Sequence, residues 1–412
     1  MKILFVVKSK TIETLGPMYL SAVVKERRHE AKIADINEAP MVAASWKPDM
    51  IGYSIMTGDR EKFMELNEAL KTQISFISIV GGPDVTFFTQ GYDWADHVVR
   101  GEGENWMADF LSDKRLKMDA FPDIDSIPYP DRTDFPNHRI RDFITSRGCP
   151  YNCSYCYNER WSQLFPGKPV RTRSVDSVLW EITNVEPEFV YFQDSCFGVS
   201  MKWLTEFSGK YRKHVNIPFH CHLRPAQVTE ERVLLLGDAN CASVRIALET
   251  ASKPLLKLLN RENTDLEQVR DAVRLLRKWG IKLMIQNMIG LPTGTIEDDL
   301  KTLEFNIQCR PSYGWCSIFT PYPGTELGDW SSLKGWYMGD YSEITDCFFD
   351  GSVLEFTIKY KEQLQCLQKI FALAVECQIM PKIEELTLEN FPKLVHRMLR
   401  AVGDRRLYPG VM

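Results

Sequence analysis

Cys149, Cys153 and Cys156 lie in the segment RGCPYNCSYCYNE, close enough in sequence for their thiolates to grip one metal centre. Gly148 and Pro150 open a loop for them directly after an expected strand. A structural zinc site takes four protein ligands, and no fourth partner stands at zinc-finger spacing. A four-iron, four-sulfur cluster normally takes four thiolates as well, so three ligands leave one iron open to bind something else. Free or zinc-binding thiols are the plainer alternative, and the surrounding elements must decide.

Other candidates fall at the ends of apolar runs. In FHCHLRP, His220, His222 and Arg224 alternate with Phe219, Cys221 and Leu223, so one strand face is polar. Polar side chains near the carboxyl ends of barrel strands line active sites, although a histidine there can also be an ordinary hydrogen-bonded core residue. Glu249 ends SVRIALE and Asp194 ends VYFQD; a strand-end carboxylate serves either a site or a helix cap. Gln286 and Met288 share a face in KLMIQNMIG. Nearer the start, SFISIV runs into Gly81, Gly82 and Pro83, followed by VVRGEGE with Gly101 and Glu102. Glycines at a strand end let a ligand approach the backbone at the sheet's carboxyl edge. Ser54, Thr57 and Thr86 are small hydroxyl residues at such ends.

These residues need positioning elements. From Lys2 to Glu104, short apolar runs alternate with helix-period stretches, which predicts a doubly wound parallel sheet over residues 1–112. Pro122, Pro128, Pro130 and Pro136 break the pattern, making 113–140 a linker. A second alternating series runs from RDFITSRG to GWCSIFTPY, six strands that predict a partial (β/α)6 barrel over 141–328. Beyond it, 329–412 reads as mainly helical, with a basic tail. Trp330, Trp336, Tyr337 and Tyr341 form an aromatic-rich approach to this region and are assigned no role, since aromatics at this density usually serve core or lid packing.

The three-cysteine segment, with Tyr155 before its last cysteine and a barrel pattern after it, resembles the radical S-adenosylmethionine superfamily signature. The resemblance implies a 4Fe-4S cluster on Cys149, Cys153 and Cys156, with S-adenosylmethionine on the open iron. Reductive cleavage then yields a hydrogen-abstracting 5'-deoxyadenosyl radical. It implies that the backbone of Tyr155 lies near the adenine, and that Glu249, in RIALETASKPLLKLLNREN, contacts the bound S-adenosylmethionine. MIQNMIGLPTGTIEDDL resembles the fifth strand and its turn, where Gly290 and Pro292 shape the approach to the adenosine. Asp194, Arg224 and Gln286 complete the expected S-adenosylmethionine site, and His220 and His222 mark a substrate cavity.

The first domain adds a second resemblance. IGYSIMT, IVGGPDVTF and VRGEGE, in that order before a radical domain, resemble the cobalamin-binding domain of cobalamin-dependent radical enzymes. This implies that Gly81 and Gly82 lie along the cofactor's nucleotide tail, with Ser54, Thr57, Pro83, Thr86, Gly101 and Glu102 as further contacts. No DxHxxG sequence occurs, and His29 and His97 lie in a helix and near a late strand, so a histidine beneath cobalt is not expected. Asp84 stands where many relatives carry histidine.

Composition bounds the rest. With 50 basic and 55 acidic residues, a net charge of −5 gives no footprint for nucleic acid, which argues against an RNA-modifying enzyme. Eleven cysteines, an odd number, indicate a reducing cytosol, and no apolar run spans a membrane or forms a signal peptide. The expectation is a cytoplasmic, cobalamin-dependent radical methyltransferase acting on an unactivated carbon, with phosphorus as second choice. It would take a small-molecule or peptide substrate and electrons from an external donor such as flavodoxin or ferredoxin. Cyclisation, ring contraction or oxidation with the same cofactors is the runner-up, and an iron-sulfur sensor or electron carrier is the rival from another class.

Overall fold

The computed structural model describes residues 1–402 apart from 89, 113–121, 137, 166, 168–169, 342–343, 345–346 and 348. Part of the expected linker and the end of the basic tail therefore lie outside the described residues.

The first sheet holds β1 (Lys2–Val7), β2 (Glu30–Asp35), β3 (Met50–Ser54), β4 (Ile77–Gly81) and β5 (His97–Val98), all parallel, in the order β2-β1-β3-β4-β5. KILFVV can sit at its centre because both faces are covered: Ile3, Phe5 and Val7 pack in one core, Leu4 and Val6 in another. The strand order reverses between β1 and β3, and doubly wound sheets open a ligand crevice at the carboxyl ends of such a pair.

The second sheet contains β6 (Ile140–Phe143), β9 (Phe189–Phe192), β10 (Phe219–Leu223), β11 (Cys241–Glu249), β12 (Lys282–Ile289) and β13 (Tyr313–Ile318), parallel and in sequential order. Two short strands, β7 (Ser146–Gly148) and β8 (Val170–Thr172), pair antiparallel beside it. The run RDFITSRG, expected as one strand, thus breaks at Ile144–Thr145. The cause is the Asp194 carboxylate, which accepts from the Thr145 amide (3.1 Å) and hydroxyl (2.7 Å) and from the Ser146 hydroxyl (2.5 Å), pulling the chain out of the sheet.

Alternation along these strands separates two environments. Phe143, Phe192, Phe219, Val244, Ile246 and Ile285 face the helices and are buried in one core. Tyr191, His222, Arg245, Gln286 and Trp315 take the opposite face and are only half-buried. Solvent reaches the concave side of the sheet, so this partial barrel is hollow.

Two further features complete the frame. The helix Ile358–Cys377 lies on the outer face of β13 and against the helix Ile296–Cys309. Glycines permit this approach: a Cβ at Gly290 would stand 2.8 Å from Leu364 Cδ1, and one at Gly314 would stand 2.9 Å from Val375 Cγ2. The proline-rich segment is held by its charged residues. Asp131 bonds Ser21 and Lys25, Asp134 accepts from the Ile33 amide, and Arg132 pairs with Glu13 of the first domain and Glu181 of the second. Among the described residues, no helix is long and apolar enough to cross a membrane.

Candidate functional site

The cysteine loop leaves β7 and runs into the helix Tyr157–Leu164. Its backbone is pinned from beneath by the segment after β11. The Ser154 amide donates to Leu259 O (3.2 Å), its hydroxyl to Leu258 O (2.8 Å), and Asn260 Nδ2 to Asn152 O (2.8 Å). From the far end of the barrel, the Leu327 amide donates to Ser154 O at 2.7 Å.

Three donors point at sulfur. Arg224 Nη1 lies 3.5 Å from Cys153 Sγ, Arg261 Nη1 lies 3.7 Å from it, and Asn158 Nδ2 lies 3.5 Å from Cys156 Sγ. Arg224 is steadied by the Tyr151 ring, 4.0 Å below its guanidinium. Burial pushes the Cys149 thiol up to about 12 and raises Cys156 as well, so these groups hold protons until a metal replaces them. Among the described residues, no three His, Cys, Asp or Glu side chains stand close enough to surround one ion. Two guanidinium groups and an amide directed at the sulfurs suit the negative charge of a cubane held by three thiolates. The donor set therefore fits an iron-sulfur cluster.

Tyr155 and Glu249 form the next layer. The Tyr155 hydroxyl donates to Glu249 Oε1 at 2.7 Å, and Arg261 Nη1 lies 3.4 Å from the same hydroxyl. Glu249 is buried and sits at φ +71°, in the left-handed region that favours glycine. Such backbone strain is characteristic of functional positions. Burial raises its carboxyl, opposed by the nearby Arg261.

The remaining expected S-adenosylmethionine residues separate. Arg224 belongs to the cysteine loop's surroundings, and Gln286 projects into the hollow barrel. Asp194 spends its oxygens on Thr145 and Ser146, as a brace. Gly290, at φ +67°, donates its amide to Asp299 Oδ1 (3.2 Å) beneath Leu364. His220 and His222 line the barrel wall, deeper than the cysteine loop.

At the carboxyl ends of β1, β3 and β4 lies a cavity of about 290 Å³, mostly apolar, whose walls include Phe5, Gly52, Ser54, Gly81, Gly82, Val99 and Trp106. Ile144 and Arg147 close it from the barrel side. Glycine shapes this slot: Gly82 has φ +107°, and a Cβ on it would stand 2.7 Å from Ile55 O. A narrow apolar crevice with backbone walls fits the flat base of a nucleotide tail. Thr86 braces the rim, donating to Gly82 O (2.8 Å) and accepting from the Gly101 amide (3.1 Å). Thr57 meets Tyr157 Oη at 3.0 Å. Glu102 is bound by Arg147 (3.1 Å) and Arg171, so it ties the domains together. Asp84 is bound by Arg60 and Tyr92, and His97 sits between Trp106 and Phe110.

Two more spaces join the domains. One, of about 460 Å³, is lined by Pro83, Glu102, Arg147, Asn158, Trp161 and Ser195. The other, of about 270 Å³, lies between Gly82, Pro83, Thr86 and Gly101 on one side and Tyr157, Asn158 and Trp161 on the other. The rings of Phe87 and Tyr157 stack across this boundary at 4.1 Å.

Arg261, Arg147, Asn158 and Tyr157 were not singled out from sequence. Asn158 and Tyr157 follow the last cysteine directly and so carried a local signal; the two arginines did not.

Residues 143–305 match the Radical SAM superfamily and residues 1–111 match the B12 binding domain. The chain is 26% identical over 363 residues to an uncharacterized methyltransferase of Pyrococcus horikoshii, covering 77% of this chain and 78% of that one. It is 23% identical over 333 residues to the anaerobic magnesium-protoporphyrin IX monomethyl ester cyclase of Rubrivivax gelatinosus, covering 68% and 58%. The fold is shared with the cobalamin-dependent S-adenosylmethionine radical enzyme OxsB, with a TM-score of 0.70 at 16% identity, over 97% of this chain and 71% of that one. A sheet with a glycine-walled crevice, followed by a hollow barrel with three thiols at its mouth, places this chain among the cobalamin-dependent radical SAM enzymes.

Proposed function

We propose that the chain transfers a methyl group to an unactivated carbon of a substrate held in the barrel. One observation carries this reading: Gly82, Pro83 and Gly101 of the first domain line the same space as Tyr157 and Asn158, which follow the last cysteine. When bound, the 4Fe-4S cluster with S-adenosylmethionine supplies hydrogen abstraction, and cobalamin supplies a methyl carrier. Cys149, Cys153 and Cys156 would hold the cluster. Arg224, Arg261 and Asn158 donate toward their sulfurs and offset the negative charge. The Tyr155–Glu249 pair fixes the loop against the barrel wall and presents a carboxyl group beside the site. Gly81 and Gly82 would receive the nucleotide tail, while the Phe87–Tyr157 stack shields part of the domain boundary from water. Electrons would come from an external flavodoxin or ferredoxin, and the substrate would be a small molecule or peptide.

The experiment is product analysis with S-adenosylmethionine labelled in its methyl group. Label in the isolated product is expected. A product altered without label would replace methyl transfer by the second reading, cyclisation or oxidation, which the similarity to the cyclase favours.

A further inference from the structure

On the concave face of the barrel, Arg245 forms no ion pair among the described residues, although its charge reaches Glu249 at the end of the same strand. Arg245 on β11 is half-buried, and among the described residues it contacts His222, at 2.6 Å from Nε2 and 3.3 Å from Nδ1, and lies beside the Tyr191 hydroxyl. His222 lies opposite it in the parallel register. Tyr191 Oη stands 3.0 Å from the same imidazole nitrogen, on the next strand. A guanidinium offers five donors and no acceptor, so these contacts leave most of its donors unused. Half-buried arginines ordinarily meet a carboxylate, and removing one from water without a partner is costly.

A second polar atom faces the same wall. His220 is buried, its Nδ1 contacts Ser243 Oγ at 2.7 Å, and its Nε2 has no partner. Burial, together with Arg245, lowers both histidines, so they are neutral and cannot repel a cation or add to its charge. Asp142 completes the rim, with Gln193 Nε2 on its Oδ1 at 2.8 Å.

We infer that Arg245, fixed by His222 and Tyr191, anchors a carboxylate of the substrate, with His220 Nε2 as an adjacent polar contact. One guanidinium flanked by neutral imidazoles matches a monoanion, whereas a phosphate dianion would call for a second cation beside it. Four residues further along β11, past a register shift between Ala247 and Glu249, comes Glu249 beside the cysteine loop, near enough for the Arg245 charge to act on its carboxyl. The bound molecule lies along the strand, its carboxylate at Arg245 and its reacting carbon toward the loop. The inference rests on the proposed reading only in taking the barrel as the substrate chamber.

Equilibrium binding to the cofactor-loaded protein tests it, with octanoate, 1-octanol and octyl phosphate as probes. The wild type is expected to bind octanoate at least ten-fold more tightly than either other probe. Arg245→Gln should abolish that preference while leaving 1-octanol unchanged, and Arg245→Lys should keep part of it, because it retains the charge without the fork. Iron content and circular dichroism of each variant report folding; if Arg245→Gln does not fold, the wild-type preference and Arg245→Lys decide. Equal binding of octanoate and 1-octanol, an octanoate affinity insensitive to Arg245, or no binding of octanoate overturns the inference. Labelled-product analysis is independent: an Arg245-dependent octanoate site without methyl transfer would remove the proposed reaction and leave the anchor standing.

Discussion

The hydroxyl of Tyr155 donates to the carboxylate of Glu249 at 2.7 Å, joining the cysteine loop to the end of β11 across 94 residues of sequence. Glu249 is buried and Tyr155 half-buried around this bond, so removing the hydroxyl leaves a buried carboxyl short of a donor, at about 1–3 kcal/mol. Tyr155→Phe should lower the unfolding temperature of the cofactor-free protein. Glu249→Gln, which retains an acceptor for the hydroxyl, should lower it less. If Glu249 also meets S-adenosylmethionine, Glu249→Gln will still weaken equilibrium binding of that molecule more than Tyr155→Phe does. The reverse order would restrict Glu249 to a structural part.

Replacing Cys149, Cys153 or Cys156 singly with alanine should remove most of the iron from anaerobically reconstituted protein. Cys196→Ala is the informative control. That thiol is buried near Cys149 but is held by Gln227 Oε1 at 2.7 Å, so iron content should be unchanged. Iron loss on replacing Cys196 would make it a ligand.

Gly81 separates binding from folding in the first domain. Its backbone is not left-handed, and a Cβ there would meet only Val99 O, at an ordinary 3.5 Å. Gly81→Val should therefore fold normally, yet it narrows the crevice and should retain several-fold less cobalamin after gel filtration. Undiminished cobalamin would move the nucleotide tail elsewhere. Gly82→Ala, with its Cβ 2.7 Å from Ile55 O, should instead destabilise the domain itself.

Asp299 makes stability depend on pH. Burial pushes its carboxyl up to about 7, against the help of Tyr360 and the Gly290 amide. Between about pH 4 and 7, the folded protein holds a proton that the unfolded chain has released, so raising the pH favours unfolding. Thermal stability should fall through this window and level off above it, and Asp299→Asn should flatten the profile. An unchanged slope would exclude Asp299 as its source.

How far sequence led can be judged residue by residue. Strands such as KILFVV and KLMIQNMI are legible because they are short, largely apolar runs set between helix-period stretches, and β-structure writes itself locally. The cysteine spacing is legible because it is dictated by one loop. Arg261 was not legible: its meeting with Cys153 spans 108 residues and depends on how the turn after β11 folds back under the loop. The break in RDFITSRG was hidden for a similar reason, since Asp194, 49 residues on, is what diverts Thr145 from the sheet. The resemblance of VRGEGE implies Glu102, between Gly101 and Gly103, as a cobalamin contact, but its ion pairs with Arg147 and Arg171 become apparent only when the domains meet.

The helix Ile358–Cys377 bears on how this protein can be cut and recombined. The segment shared with the Radical SAM superfamily stops at 305, before β13 begins at Tyr313. A fragment ending there would lack the last strand and the helix seated over Gly290 and Gly314, exposing the apolar flank of β12. Even one ending after β13 would leave Ile289, Cys316 and Ile318 without Leu364, Leu367 and Phe371. The smallest portable unit of this barrel thus extends past Cys377, and a chimera built to exchange substrate preference must carry that helix along with the strands it covers.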